Sequence, residues 1–129
     1  MEIFTFSSRS ESNLGGVNPR LIQVARRALE LSPMDFGITE GLRTYARQTQ
    51  LFKSGKSQTL NSRHLTGHAI DIIAYPTPSG SWDFADYELI ASAFKQAARE
   101  LNIPVEWGGD WPEFKDGVHF QLPYDVNPS

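Results

Sequence analysis

His64, Asp71 and His119 are the three side chains of this sequence best suited to hold a catalytic metal ion. A catalytic zinc takes three protein ligands and keeps a fourth position for water, and a His/His/carboxylate set meets that requirement. The first two lie in the run Ser62-Arg63-His64-Leu65-Thr66-Gly67-His68-Ala69-Ile70-Asp71, the third in Asp116-Gly117-Val118-His119-Phe120. Asp116 stands three residues before His119 across a glycine. A turn there would set its carboxylate beside an attacking water, able to take a proton and later pass it to a leaving amine. Zinc is therefore the expected cofactor and an enzyme the expected class.

Each of these residues has an ordinary alternative. A single histidine is more often a satisfied core or surface residue than a ligand, and Lys115-Asp116-Gly117 is also plain turn chemistry. Glu106, at a strand end before Gly108-Gly109, is the competing base. His68 follows His64 at the i, i+4 spacing of a zinc-binding helix. Gly67, the polar loop before it and the β-branched run after it argue against a helix there, and the glutamate of H-E-x-x-H is missing, so His68 is left outside the set. Arg43 could steady an oxyanion or grip a carboxylate, as a planar guanidinium does well, or be a structural arginine. Ser62 is either a hydrogen-bonding support for the ligands or a loop serine. Trp107, Trp111 and Phe114 either wall a substrate groove or belong to the core.

The elements that must position these groups are legible from periodicity. Leu21, Val24, Ala25, Ala28 and Leu29 after Pro19 form one apolar helical stripe. Phe36–Glu40 reads as a short strand, and Thr44 as the N-cap of a helix through Phe52. Residues 54–62 are polar and read as an exposed loop. Ala69–Ala74 is a strand with Ile70 and Ile72 on one face and Asp71 and Ile73 on the other. A third helix spans Phe84–Leu101, and Pro104–Trp107 and Val118–Leu122 are strands around a Gly108-Gly109 turn. The opening stretch through Gly15-Gly16 reads as loosely structured. Three helices with a small antiparallel sheet predict an α+β fold in a single catalytic domain over 1–129.

Composition bounds the rest. The chain has 129 residues, 40% hydrophobic and 12% aromatic, enough for one core without staples. A net charge of -3 with no polybasic run argues against nucleic-acid or anionic-membrane partners. No stretch is long and apolar enough for membrane insertion, and Met1–Ser7 lacks the features of a signal peptide, which predicts a cytoplasmic chain. With no cysteine, any zinc must use nitrogen and oxygen ligands.

Ser62-x-His64-x-x-Gly67-x-Ala69-x-Asp71 fills every fixed position of the S-x-H-x-x-G-x-A-x-D signature of the zinc D-Ala-D-Ala carboxypeptidase and L-alanyl-D-glutamate peptidase family, and the chain resembles that family from about Asn18 to Leu122. Trp107-Gly108-Gly109-Asp110-Trp111 with Asp116-x-x-His119 resembles the second signature of its phage-endolysin and CwlK-like branch; Gly41-x-Arg43-Thr44 and Gln50 resemble its upstream arginine segment. The resemblance implies a hedgehog/D-Ala-D-Ala-peptidase-like fold, zinc on His64, Asp71 and His119, Asp116 as general base, and Arg43 assisting at the carbonyl oxygen. It also implies an endolysin that cuts the L-Ala to D-Glu bond of the peptidoglycan stem peptide and is released to the wall through a holin; a monomer is expected. The carboxypeptidases carry a glutamate in E-x-x-H where this chain has Asp116, which favours the endopeptidase branch. A D-Ala-D-Ala or L,D-carboxypeptidase, and a non-catalytic zinc-binding relative, are the alternatives.

Overall fold

The computed structural model describes residues 4–57, 59, 62–113 and 115–123. The order of elements is α1 (Ser8–Asn13), α2 (Pro19–Leu31), β1 (Asp35–Glu40), α3 (Tyr45–Lys53), β2 (Ala69–Tyr75), α4 (Phe84–Leu101), β3 (Glu106–Trp107) and β4 (His119–Gln121), with 3-10 turns at Arg63–Thr66 and Gly108–Asp110. The strands form one antiparallel sheet in the order β1-β2-β4-β3, and the fold is α+β. Among the described residues no helix is long and apolar enough to cross a membrane.

One face of the sheet is the core. Phe36, Ile38, Ile70, Ile72 and Phe120 are buried there beneath α2 and α4, which contribute Leu21, Val24, Ile90 and Phe94 among others. Phe94 lies flat on Phe120 with ring centroids 3.9 Å apart. Strand alternation then sends Asp71 and Ile73 to the opposite face, as the period of β2 predicts. The expected N-cap of α3 is made, Thr44 accepting from the amide of Arg47 at 3.1 Å, and α2 is capped by Asn18, which accepts from the amide of Arg20 at 2.9 Å.

The opening stretch corrects the sequence reading. Rather than being loosely structured, residues 8–13 form α1, because their polar side chains find partners on β1. Ser10 Oγ accepts from the Ile38 amide at 3.0 Å, and Asn13 Nδ2 donates to the Ile38 carbonyl at 2.7 Å. These bonds occupy backbone groups on an edge strand that would otherwise be open. No apolar period announces such a helix, since its contribution is polar and long-range.

Candidate metal centre and groove

Register assembles the site. Across the open face of the sheet, Glu40 of β1, Asp71 of β2 and His119 of β4 are successive cross-strand partners. In an antiparallel pair directly opposed residues point the same way, so the three side chains form one row. A register shift between Ile38 and Glu40 adds a residue to β1 and brings Glu40 into that row. His64 arrives from the 3-10 turn that leads into β2. Gly67 ends this turn at φ 76°, where a Cβ would come within 2.5 Å of the Gly16 carbonyl oxygen.

One ligating atom from each of His64, Asp71 and His119 lies within 4.8 Å of the others, an arrangement that could hold a metal ion. The far nitrogen of each imidazole is already committed. His64 Nδ1 is 2.8 Å from the Gly41 carbonyl oxygen, so it is the N–H, and Nε2 presents its lone pair 3.1 Å from Asp71 Oδ1. His119 Nε2 is 2.8 Å from Gln121 Oε1, and Gln121 Nε2 donates to Glu106 at 3.4 Å, which fixes the amide's orientation. His119 Nδ1 therefore also turns a lone pair toward Asp71 Oδ1, again at 3.1 Å. Two lone pairs facing one carboxylate oxygen repel unless a proton or a cation sits among them. With a proton in that place the rings donate to the carboxylate, and the shifts of Asp71 and His119 follow from that bonded state. Burial alone would raise the Asp71 carboxyl, yet the hydrogen bonds of His119 and His64 hold it well below the usual range. Burial would lower His119, yet the hydrogen bond and charge of Asp71 raise it. The donor set thus fits a borderline divalent ion such as zinc, with each histidine oriented from behind.

The centre opens into a groove of about 930 Å³. Asp116 lines it half-buried, and its carboxylate has no hydrogen-bond partner among the described residues. Its turn is fixed through the backbone, by Asp116 N to Gly108 O at 3.0 Å and His119 N to Asp116 O at 3.1 Å. Burial, and after it the charge of Asp71, pushes the Asp116 carboxyl above its ordinary value. Glu106 also lines the groove, but its oxygens accept from Trp111 Nε1 at 2.7 Å and from Gln121. It braces His119 through Gln121 rather than standing free.

The Arg43 side chain, only 8% exposed, stands beside the row. It donates through Nε and Nη2 to Glu40 and through Nη1 to Gln48 at 2.7 Å, and Nη2 lies 3.7 Å from Asp71 Oδ2. Ser62 Oγ accepts the amide of His64 at 3.1 Å, which makes it a brace of that turn. His68 is turned away, its Nδ1 2.6 Å from Thr66 Oγ1, and it is not part of the ligand cluster. Trp107 departs from a substrate-wall role: it is buried in the core against Phe84 and Phe120, and its Nε1 donates to Gly117 O at 2.8 Å. The indole thereby braces the turn between Asp116 and His119. Trp111 does line the groove, 5.3 Å from the His119 ring, whereas Phe114 lies outside the described residues.

Two supporting residues, Gln48 and Gln121, escaped the sequence reading, and a third, Gly41, entered it only as part of the arginine segment. Gln48, not Gln50, is the buried glutamine that meets Arg43; Gln50 is exposed. Gln121 was visible as the alternate residue two positions after His119, on the same face of β4. Gly41 matters because a Cβ there would lie 2.1 Å from the Asn13 carbonyl oxygen, and its own carbonyl orients His64. Gly41→Ala should therefore cost roughly 1–3 kcal/mol from overpacking and weaken metal binding about 10- to 100-fold through the displaced carbonyl. Thermal melts and metal titration of the variant check both effects.

Comparison with known proteins finds relatives that match most of the chain. The family model for phage L-alanyl-D-glutamate peptidase matches residues 2–121. The L-alanyl-D-glutamate peptidase of Escherichia phage T5 is 43% identical over 112 residues, covering 84% of this chain and 82% of that protein. The peptidoglycan L-alanyl-D-glutamate endopeptidase CwlK of Bacillus subtilis is 33% identical over 104 residues, 69% of this chain and 61% of its own length. The crystal structure of the Serratia marcescens L-Ala D-Glu endopeptidase ChiX superposes with a TM-score of 0.93 at 51% identity, covering 99% of this chain and 96% of that one.

Proposed function

Because the chain belongs to the phage L-alanyl-D-glutamate peptidase family, it is a peptidase, and we propose that it is a zinc-dependent hydrolase of the L-Ala to D-Glu amide in the peptidoglycan stem peptide. The observation that carries the reading is one groove holding both the His64–Asp71–His119 cluster and an uncommitted carboxylate, Asp116. Zinc held by those three residues would supply Lewis-acid polarisation of the scissile carbonyl and acidify a water.

The chain's own groups do the rest. Asp116 accepts a proton from the attacking water and returns it to the departing D-Glu nitrogen. A carboxyl pushed above its ordinary value suits that two-way transfer. Glu40 and Gln48 clamp Arg43, so its positive charge reaches the groove in a fixed orientation and offsets charge developing on the carbonyl oxygen. Gly41, Gln121 and Glu106 keep the imidazoles aimed. In this reading the protein is an endolysin of a phage or prophage, made in the cytoplasm and passed to the wall through a holin.

Mass spectrometry of fragments released from purified peptidoglycan tests the bond. The expected result is new amino termini on D-Glu with D-Ala retained. Release of D-Ala alone, with the L-Ala to D-Glu bond intact, would move the protein to the carboxypeptidase class.

A further inference from the structure

The two walls of the groove carry opposite charge. On the side of β1, α3 and the loop after it present Arg47 and Lys56, and neither side chain has an ion pair or hydrogen bond among the described residues. On the side of β3, the segment up to β4 presents Glu106, Glu113 and Asp116, while the one cation there, Lys115, donates to the Gly109 carbonyl at 3.2 Å. The row Glu40–Asp71–His119 runs between the walls. The cationic wall is also tied to the site. Gln48, fully buried, donates to Ser57 Oγ at 2.8 Å and to the Thr59 carbonyl at 2.5 Å while its oxygen accepts from Arg43. The loop bearing Lys56 is thus held at a fixed distance from Arg43 by one amide with both ends used.

This inference rests on the proposed cleavage of an L-Ala to D-Glu amide. A glutamyl residue continues its chain through one carboxyl group and keeps the other free. The substrate therefore brings a carboxylate a few bonds from the departing nitrogen. The geometry points to Arg47 and Lys56 as the subsite for that free carboxylate, which fixes the direction of the peptide across the metal centre. The D-Glu side lies against α3 and the L-Ala side toward Glu106 and Glu113. The acidic wall would repel the carboxylate in the reverse orientation, so the two walls together select one polarity. Both cations are exposed, so the attraction is partly screened and should weaken with salt.

The test uses two peptides of the form L-Ala-D-Glu-X, identical except that the free glutamyl carboxyl of one is converted to the primary amide. Wild-type enzyme should cut the carboxylate form about two- to fivefold better in kcat/KM at low salt, the scale of a partly exposed charge pair. Raised salt should shrink the preference. In Arg47→Gln/Lys56→Gln the two rates should become equal through a loss on the carboxylate form, with unchanged zinc content and melting temperature. Arg99→Gln, which removes an α4 cation outside the groove lining, should keep the preference. Equal wild-type rates on the two forms, or a preference surviving in the double variant, would overturn the subsite while leaving the cleaved bond standing. No cleavage of either form would overturn both.

Discussion

His119→Ala should fold, carry no stoichiometric zinc after dialysis against metal-free buffer, and show no measurable cleavage. In the proposed centre the imidazole supplies one of three ligating atoms, and the two left, on His64 and Asp71, would not hold the ion firmly at neutral pH. Loss of a partner behind a ligand already costs about 10- to 100-fold in affinity, so loss of the ligand itself should cost at least the upper end of that range. The substitution also strips Asp71 of one of its two histidine contacts and leaves Gln121 Oε1 without its donor. A His119→Gln variant, which keeps a polar side chain at the position, guards against reading a folding defect as a metal defect. His68→Ala is the contrasting case: its ring bonds to Thr66 and points away from the cluster, so zinc should remain. Elemental analysis of the three proteins decides the matter, and full occupancy in His119→Ala would remove this residue from the ligand set.

How much of this was legible in sequence depends on the range of the interaction. β2 and α4 could be read because their apolar positions repeat within a few residues, and the structure ends them within a residue of where the period stops. The signature around His64 and Asp71 was legible because those two residues are seven positions apart, on a single turn-and-strand unit. The pairing of Asp71 with His119 is a matter of strand register across a gap of 48 positions, and periodicity carries no register. The supporting layer was harder still. Gln48 reaches Arg43 five positions away and Thr59 eleven away, through a side chain whose type is common in exposed helices. Trp107 stood open between groove wall and core, because an aromatic near a closing strand serves either, and the structure places it in the core. The structure uses its indole nitrogen, not its face, to hold the Gly117 carbonyl.

Asp116→Ala should have the opposite profile to His119→Ala: zinc retained, turnover lost. Its side chain makes no hydrogen bond to a ligand among the described residues, and the turn it occupies is held by backbone bonds that alanine preserves. Loss of general-base assistance should lower kcat by roughly 10²- to 10⁴-fold with little change in KM. The stability effect has a definite sign. A carboxyl whose folded pKa is raised opposes folding once it is ionised, above its unfolded value, so the metal-free Asp116→Ala chain should be at least as stable as wild type near pH 7. That advantage should fade as pH falls and vanish below the ordinary aspartate value, where the carboxyl is neutral in both states. Glu106→Ala separates brace from base. With its oxygens bound to Trp111 and Gln121, its removal should weaken zinc binding yet leave kcat at saturating zinc nearly intact. Single-turnover rates with zinc in excess distinguish the two variants. A large kcat loss in Glu106→Ala alongside a mild one in Asp116→Ala would assign the base to Glu106 and place the chemistry nearer the carboxypeptidases.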